Sequence, residues 1–238
     1  MSRFPVTYVN ITHPVLDGFE VTSPKLEMSS DWQREVDQLL ESLAKVASLS
    51  VNVTCGMHVH VSFPEPFTLG QLRNLAKSTI WLEEVLLGLI SPSRRESKYI
   101  KGLRRHIPLA PGLDAVKTAT ERIDVDFRAT RTRNTRKTIQ ALVDWLQPSP
   151  DAKYHFVNFL NVTTPDDKGT VELRFPPPST RSEPALLWMY LAVGFVSVSV
   201  NLTDPTMLAP TIGGLSVLLH SVDREANPLR GIQAPVFE

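Results

Sequence analysis

The stretch Val51-Asn52-Val53-Thr54-Cys55-Gly56-Met57-His58-Val59-His60-Val61-Ser62 decides the fold. Successive side chains of a β-strand point to opposite faces. Here every odd position is apolar, and every even position is small, polar or an imidazole. The alternation predicts one strand from Val51 to Phe63 with a definite core face. His58, His60 and Ser62 then project together from the other face, spaced by roughly 6.5–7 Å from the strand rise.

A second stretch follows the same pattern. In Thr170-Val171-Glu172-Leu173-Arg174-Phe175 the apolar residues face in, and Glu172 and Arg174 face out. Residues Tyr154 to Asn161 offer it an antiparallel partner, with Pro165-Asp166-Asp167-Lys168-Gly169 as the turn between them. Pro176-Pro177-Pro178 ends the strand. A weaker alternation appears at Phe19-Glu20-Val21-Thr22, where Glu20 and Thr22 share a face.

Helical periodicity fills the intervals. Ser30 or Asp31 can cap a helix whose face carries Trp32, Val36, Leu39, Leu40, Leu43 and Val46. Further helices are predicted from Thr68 to Ile90, over Thr135–Leu146, and from Ser182 to Val200, with short ones near Asp114–Ile123 and Leu215–Val222. Residues 91–133 are otherwise irregular and basic. The expected fold class is α+β, a mostly antiparallel sheet with helices packed on one face. Its polar face is left for solvent or ligand. One domain is expected over residues 1–203, followed by a loose extension, 204–238, rich in Pro and Gly.

Composition sets the outer limits. Hydrophobic residues at 42% and charged residues at 21% of 238 fit a globular chain and exclude general disorder. A single cysteine, Cys55, forms no internal disulfide. Met1 to Glu20 lacks a basic stretch followed by an apolar run, and Ser197, Ser199, Asn201 and Thr203 interrupt the longest uncharged run. The expectation is a cytoplasmic protein with no membrane and no nucleic-acid partner, with a homo-oligomer left open. Net charge is zero, yet residues 94–137 hold thirteen Lys or Arg against five Asp or Glu. Such an excess suits a ligand bearing phosphate or carboxylate, or else a solvated basic surface.

Each polar pattern has two readings. Paired same-face imidazoles can ligate a metal, or simply occupy a half-exposed strand; Gly56 adds the sign of a close approach by a ligand or another backbone. Glu172 beside Arg174 combines a carboxylate for a hard cation with a guanidinium for phosphate. Its plain alternative is a surface salt bridge worth little. A zinc hydrolase is poorly supported, because HExxH and further Cys or His clusters are absent and His13, His106, His155 and His220 lie in unrelated contexts.

Gly56-Met57-His58-Val59-His60-Val61-Ser62 resembles the GMHxHxS strand of glutamine synthetases, and Val171-Glu172-Leu173-Arg174-Phe175-Pro176 resembles their IEVRFP strand. The fit is closer to the amidoligases and glutamate–cysteine ligases of that carboxylate–amine ligase superfamily. Those show a G-x-E-x-x-SP-x-L element, a CGxHVHV strand, Y-x-x-V-N and T-V-E-x-R. Here these correspond to Gly18 to Leu26, Cys55 to Val61, Tyr154 to Asn158, and Thr170 to Arg174. The resemblance spans residues 18–200.

It implies a glutamine-synthetase-like catalytic domain and an ATP-dependent carboxylate–amine ligase (amidoligase). Such an enzyme joins a small-molecule or peptide carboxylate to an amine through an acyl phosphate, using ATP and Mg2+ or Mn2+. Carried over by position, Glu20, His58 and Glu172 would be metal ligands. His60, Ser62, Asn158 and Arg95 would line the nucleotide site, and Arg174, with Glu172, would act on the transferring phosphoryl group. The superfamily's opening E-x-E strand is absent ahead of Gly18, so an N-terminally truncated or partly impaired form is expected. The alternative from another class is a non-catalytic descendant that binds a nucleotide or a protein partner.

Overall fold

The computed structural model describes residues 9–10, 20–27, 31–46, 48–52, 54–105, 107, 112–128, 135–148, 153–163 and 169–220. Strands β1 (Val9–Asn10) and β2 (Glu20–Val21) come first, then helix α1 (Trp32–Val46), β3 (Gly56–Met57), β4 (Val59–Val61) and α2 (Leu69–Gly88). A one-turn α3 (Pro92–Arg95) and a 3-10 turn at Leu103–Arg105 lead to α4 (Leu113–Asp126) and α5 (Thr135–Leu146). β5 (Val157–Asn158), β6 (Val171–Leu173), α6 (Ser182–Ser199) and α7 (Ile212–His220) complete the described elements. The protein is α+β, as its periodicity predicts. Gly18, Phe19, Ser30, His13, His106, the turn residues 165–168 and the stretch from 221 onward lie outside the described residues.

α2 is the central helix. Thr68 caps it with a reciprocal pair: its hydroxyl accepts from Gln71 N (3.2 Å), and the Gln71 side chain accepts from Thr68 N (2.9 Å). Leu72, Leu75, Ile80, Leu82 and Leu86 are fully buried. α2 packs against α4, α5, α6 and α7. Lys77, nearly buried, is tied to the Asp124 carboxylate of α4 (2.9 Å) and to Thr203 O, and Arg73 joins the same carboxylate. α6 is long and apolar enough to cross a membrane by length and composition, but it lies against β4, α1, α2 and α7. α1 seats Trp32, Val36 and Leu40 in the core, while Leu39 and Val46 of its predicted face remain exposed.

The strands form two three-stranded antiparallel sheets, ordered β2-β1-β3 and β4-β6-β5. This corrects the single strand predicted over Val51–Phe63. The alternation holds from Cys55 to Val61, where Cys55, Met57, Val59 and Val61 are all buried, but Val51 is exposed and Val53 lies outside the described residues. Pairing, however, changes partner at His58: β3 pairs with β1, and β4 pairs with β6. Met57 N bonds Pro176 O just past β6, which ties the end of β3 to the exit of the second sheet. Pro92 sits at the first position of α3.

Candidate functional site

Register decides which polar side chains meet. In the β4-β6-β5 sheet His60 pairs with Glu172, and Glu172 pairs with Asn158. These three form one row across the sheet, side by side on one face. The next row, Val59, Leu173 and Val157, is fully buried on the opposite face. Continuing each strand outward adds His58 and Arg174 to the polar side.

Glu172 is the hub. Its Oε1 accepts from Arg174 Nη1 (2.6 Å) and faces His58 Nδ1 at 3.2 Å, and His60 Nε2 lies 3.8 Å away. Its Oε2 accepts from Asn158 Nδ2 (2.8 Å). His60 Nδ1 lies 3.2 Å from the Thr170 hydroxyl, with Asn161 Nδ2 at 3.5 Å. Contrary to the surface salt-bridge alternative, this face is not solvated. Glu172 is only 5% exposed, and the Arg174 and His58 side chains 14% each. Replacing a buried ion pair by apolar residues is often neutral, or stabilising by ~1–4 kcal/mol. Stability therefore gives little reason to keep a carboxylate, two imidazoles and a guanidinium here. A cluster of buried, mutually perturbing polar groups is a candidate functional site.

Burial, and next the Arg174 guanidinium, push His58 down from 6.5 to about 4. His58 is therefore neutral at physiological pH. The Glu172 carboxylate lies 3.2 Å from its Nδ1 as a close polar contact.

Arg94, at the start of the basic segment, is turned inward. Its guanidinium is buried and donates to four main-chain carbonyls: Cys55 O (2.6 Å), Phe175 O (3.1 Å), Arg174 O (2.9 Å) and Pro176 O (2.7 Å). It thereby staples the lead-in of β3 to the exit of β6. Gly56 belongs to this staple, because a Cβ there would lie 2.6 Å from Arg94 Nη2. The glycine does mark a close approach, by a side chain of the protein itself. Burial, then Arg174, lowers Arg94 to about 10, so it stays charged at neutral pH. Arg104 is likewise turned inward, onto Ile80 O and Trp81 O of α2. At least two cations of the basic segment thus serve the fold.

Of the predicted site residues, His58, His60, Asn158, Glu172 and Arg174 come together. Ser62 is half-buried just past β4 and outside this hydrogen-bonded cluster. Arg95 is exposed and folds back toward Ile90 O (3.5 Å). Glu20 occupies the register row Glu20–Asn10–Gly56, two strands from the lead-in to His58. Sequence reasoning missed Gln147, which is 4% exposed and sits behind Asn158. Its only signal was a polar residue directly after the apolar face of Thr135–Leu146.

As a test for a cation, no group of three His, Cys, Asp or Glu side chains among the described residues is arranged to hold a metal ion. Glu172 already faces Arg174, whose charge opposes a second cation on the same oxygen. The described residues alone therefore do not fit a resident divalent ion.

The sequence over residues 9–196, from β1 through most of α6, matches the family model described as "putative amidoligase enzyme". The chain belongs to this amidoligase family. No curated protein and no solved structure matches it. The matched span contains every member of the Glu172 cluster together with Arg94 and Gln147, so the site lies within the family's domain.

Proposed function

We propose that this amidoligase-family chain is an ATP-dependent carboxylate–amine ligase, with the glutamine-synthetase-like fold that its motifs imply. The observation that carries the reading is the charge balance of the buried cluster. Arg94 and Arg174 bring two fixed positive charges, Glu172 brings one negative charge, and His58 is neutral. Arg174 Nε is buried and lacks a hydrogen-bond partner among the described residues. A phosphoryl group supplies both the missing charge and the missing acceptor.

In this reading a carboxylate oxygen of the substrate attacks the γ-phosphorus of ATP, and ADP leaves. The amine nitrogen then attacks the acyl carbon, inorganic phosphate leaves, and the nitrogen loses a proton. Arg174 pairs with the phosphoryl oxygens, for which it gives up Glu172. Asn158 anchors Glu172 beside His58, while His60 and Ser62 border the nucleotide and Arg95 lies at the rim. Preorganised donors aimed at developing phosphoryl charge are the main contribution a protein makes to such a transfer. Magnesium or manganese belongs to the proposal as the ion that arrives with the nucleotide. Glu20, His58 and Glu172 are the residues the resemblance nominates to meet it, and no step above runs through it.

A second reading has its own support. Only one carboxylate stands in the described cluster, which suits a descendant that binds nucleotide or partner without catalysis. Incubating the full chain with ATP, magnesium and pairs of amino acids separates the two. Ligase activity gives ADP release that needs both carboxylate and amine, with the amide seen by mass spectrometry and lost in Arg174→Lys. ATP binding without ADP release for any pair supports the non-catalytic reading. Absence of ATP binding overturns the ligase reading and leaves only the partner-binding descendant.

A further inference from the structure

Arg94 and Arg104 turn inward, but two lysines of the same basic segment gather on the surface with a third from beyond it. Tyr99 and Tyr154 meet edge to face, with ring centroids 5.6 Å apart. Lys98 Nζ lies 5.1 Å from the centre of the Tyr99 ring. Lys101 Nζ and Lys153 Nζ lie 5.9 Å and 5.1 Å from the centre of the Tyr154 ring. Three ammonium groups thus converge on one pair of rings. Lys98 and Lys153 are exposed, while Lys101 and both tyrosines are half-buried. The main chain holds the platform together: Lys101 N donates to Tyr154 O (2.8 Å), and Phe156 N donates to Lys101 O (2.9 Å). Ile100, His155 and Phe156, which flank these bonds, are buried.

Surface lysines ordinarily splay into solvent, which spares them mutual repulsion. This cluster has another origin, because the bridge between Lys101 and His155 brings Lys153 to the other two across more than fifty positions. A cation over an aromatic face is held by the ring's quadrupole, so the ammonium groups are partly ordered before any partner arrives. Among the described residues, neither Lys98 nor Lys153 has a carboxylate to neutralise it. The complementary partner is a chain with several negative charges. Lysine meets each as a point charge, without the planar fork by which arginine recognises phosphate. Each ring already has an ammonium group against it, and a nucleobase would have to displace one in order to stack. These features favour an extended run of carboxylates over a nucleic acid.

We propose that this lysine–tyrosine patch is a docking surface for an acidic peptide. Its place in the sheet ties it to the Glu172 cluster. Arg174 N donates to Phe156 O (2.8 Å), and Phe156 N donates to Lys101 O. The Lys101 main chain therefore stands two hydrogen-bonded neighbours from Arg174, about 10 Å by the strand spacing. About three residues of extended chain cover that distance. The docked peptide is then the carboxylate partner that the ligase consumes. This last step rests on the ligase reading above, whereas the docking surface stands apart from it.

The test is fluorescence anisotropy of N-terminally labelled hexaglutamate titrated with the full chain at low salt. The wild type should bind hexaglutamate saturably and should not bind hexaglutamine. The triple variant Lys98→Gln, Lys101→Gln, Lys153→Gln, folded by circular dichroism, should bind it about tenfold more weakly, for three exposed ion pairs lost. A control, Lys117→Gln with Arg136→Gln and Lys137→Gln, removes the same charge from exposed positions on α4 and α5. It should bind as the wild type does. Absence of hexaglutamate binding to the wild type overturns the proposal. So does equal weakening in the two triple variants, which would reduce the effect to overall charge. Tighter binding of hexathymidylate than of hexaglutamate would overturn it in favour of a nucleic-acid surface. ATP titration of the same samples keeps the readings apart: the expected peptide binding in a chain that does not bind ATP would sink the ligase reading and leave the docking surface standing.

Discussion

Glu83→Gln should stabilise the protein above neutral pH, and the size of the effect follows from where Glu83 sits. The residue lies in the middle of α2, only 3% exposed, and accepts from Arg104 N (3.0 Å). Gly102 lets the backbone come this close, because a Cβ there would lie 2.3 Å from Glu83 Oε1. Burial pushes the carboxyl from 4.5 up to about 7, with the Arg104 N–H pulling part of the way back. The folded chain therefore keeps a proton that the unfolded chain has lost. That contribution is complete below pH 4.5 and is gone once pH has risen through about 7. At ~1.4 kcal/mol per pH unit, the interval is worth about 3 kcal/mol, less whatever the buried amide of the variant costs.

His58 runs the other way. Its value is lowered from 6.5 to about 4, so its contribution is complete above 6.5 and is lost as pH falls through 4. The two slopes oppose each other through the overlapping range, and these two groups together leave the wild type nearly flat there. Guanidinium melts of wild type and Glu83→Gln at pH 5, 6, 7 and 8, with equal m values, read the difference directly. The variant should gain on the wild type steadily with pH and should show the His58 slope alone below pH 6.5. A stability difference that stays constant from pH 5 to 8 would refute the reasoning.

Arg94→Met strands four buried carbonyls. At ~1.5–3 kcal/mol for each bond to a charged group it should cost several kcal/mol in the same melts, the loss being shared where water reaches. Gly56→Ala should cost ~1–3 kcal/mol by pressing on that guanidinium. In the Arg94→Met background it should cost much less, since the clash is gone, and equal costs in both backgrounds would rule out the staple. Thr68→Ala removes one half of the α2 capping pair and should cost ~1 kcal/mol. Its nucleotide binding should match that of the wild type by titration, which makes it the control for variants that merely weaken the fold.

Much of this architecture was legible because periodicity is local. The stretch Thr135–Leu146, the span from Ser182 and the Glu172 strand were each written as a face of apolar residues at one spacing, and each formed within a residue or two of the expected bounds. What alternation could not show was who pairs with whom. Residues 55–61 keep one inward face, yet the partner changes from β1 to β6 at His58, because pairing depends on residues more than 40 positions away in one sheet and more than 100 in the other. The Glu172 cluster was legible as types on faces, and register then placed His60, Glu172 and Asn158 in one row. Arg94 and Gln147 were not legible, since an arginine in a basic run and a glutamine after a helix are ordinarily solvated. Only tertiary packing turns them inward. Glu83 left a faint trace, a charge within the apolar run from Ile80 to Ile90, but its neighbour Glu84 is exposed and reads identically.

The central claim is that the buried Glu172–Arg174–His58 cluster takes the phosphates of a nucleotide. Isothermal titration of ATP with magnesium into the full chain, its Arg174→Lys variant and the Thr68→Ala control tests it most directly. Lysine keeps the charge but loses the planar fork that lets Arg174 meet a phosphoryl group while its Nε finds an acceptor. The account predicts saturable binding to wild type and control, weakened at least tenfold in Arg174→Lys. Absence of binding to the wild type, or equal affinity in Arg174→Lys, would contradict it.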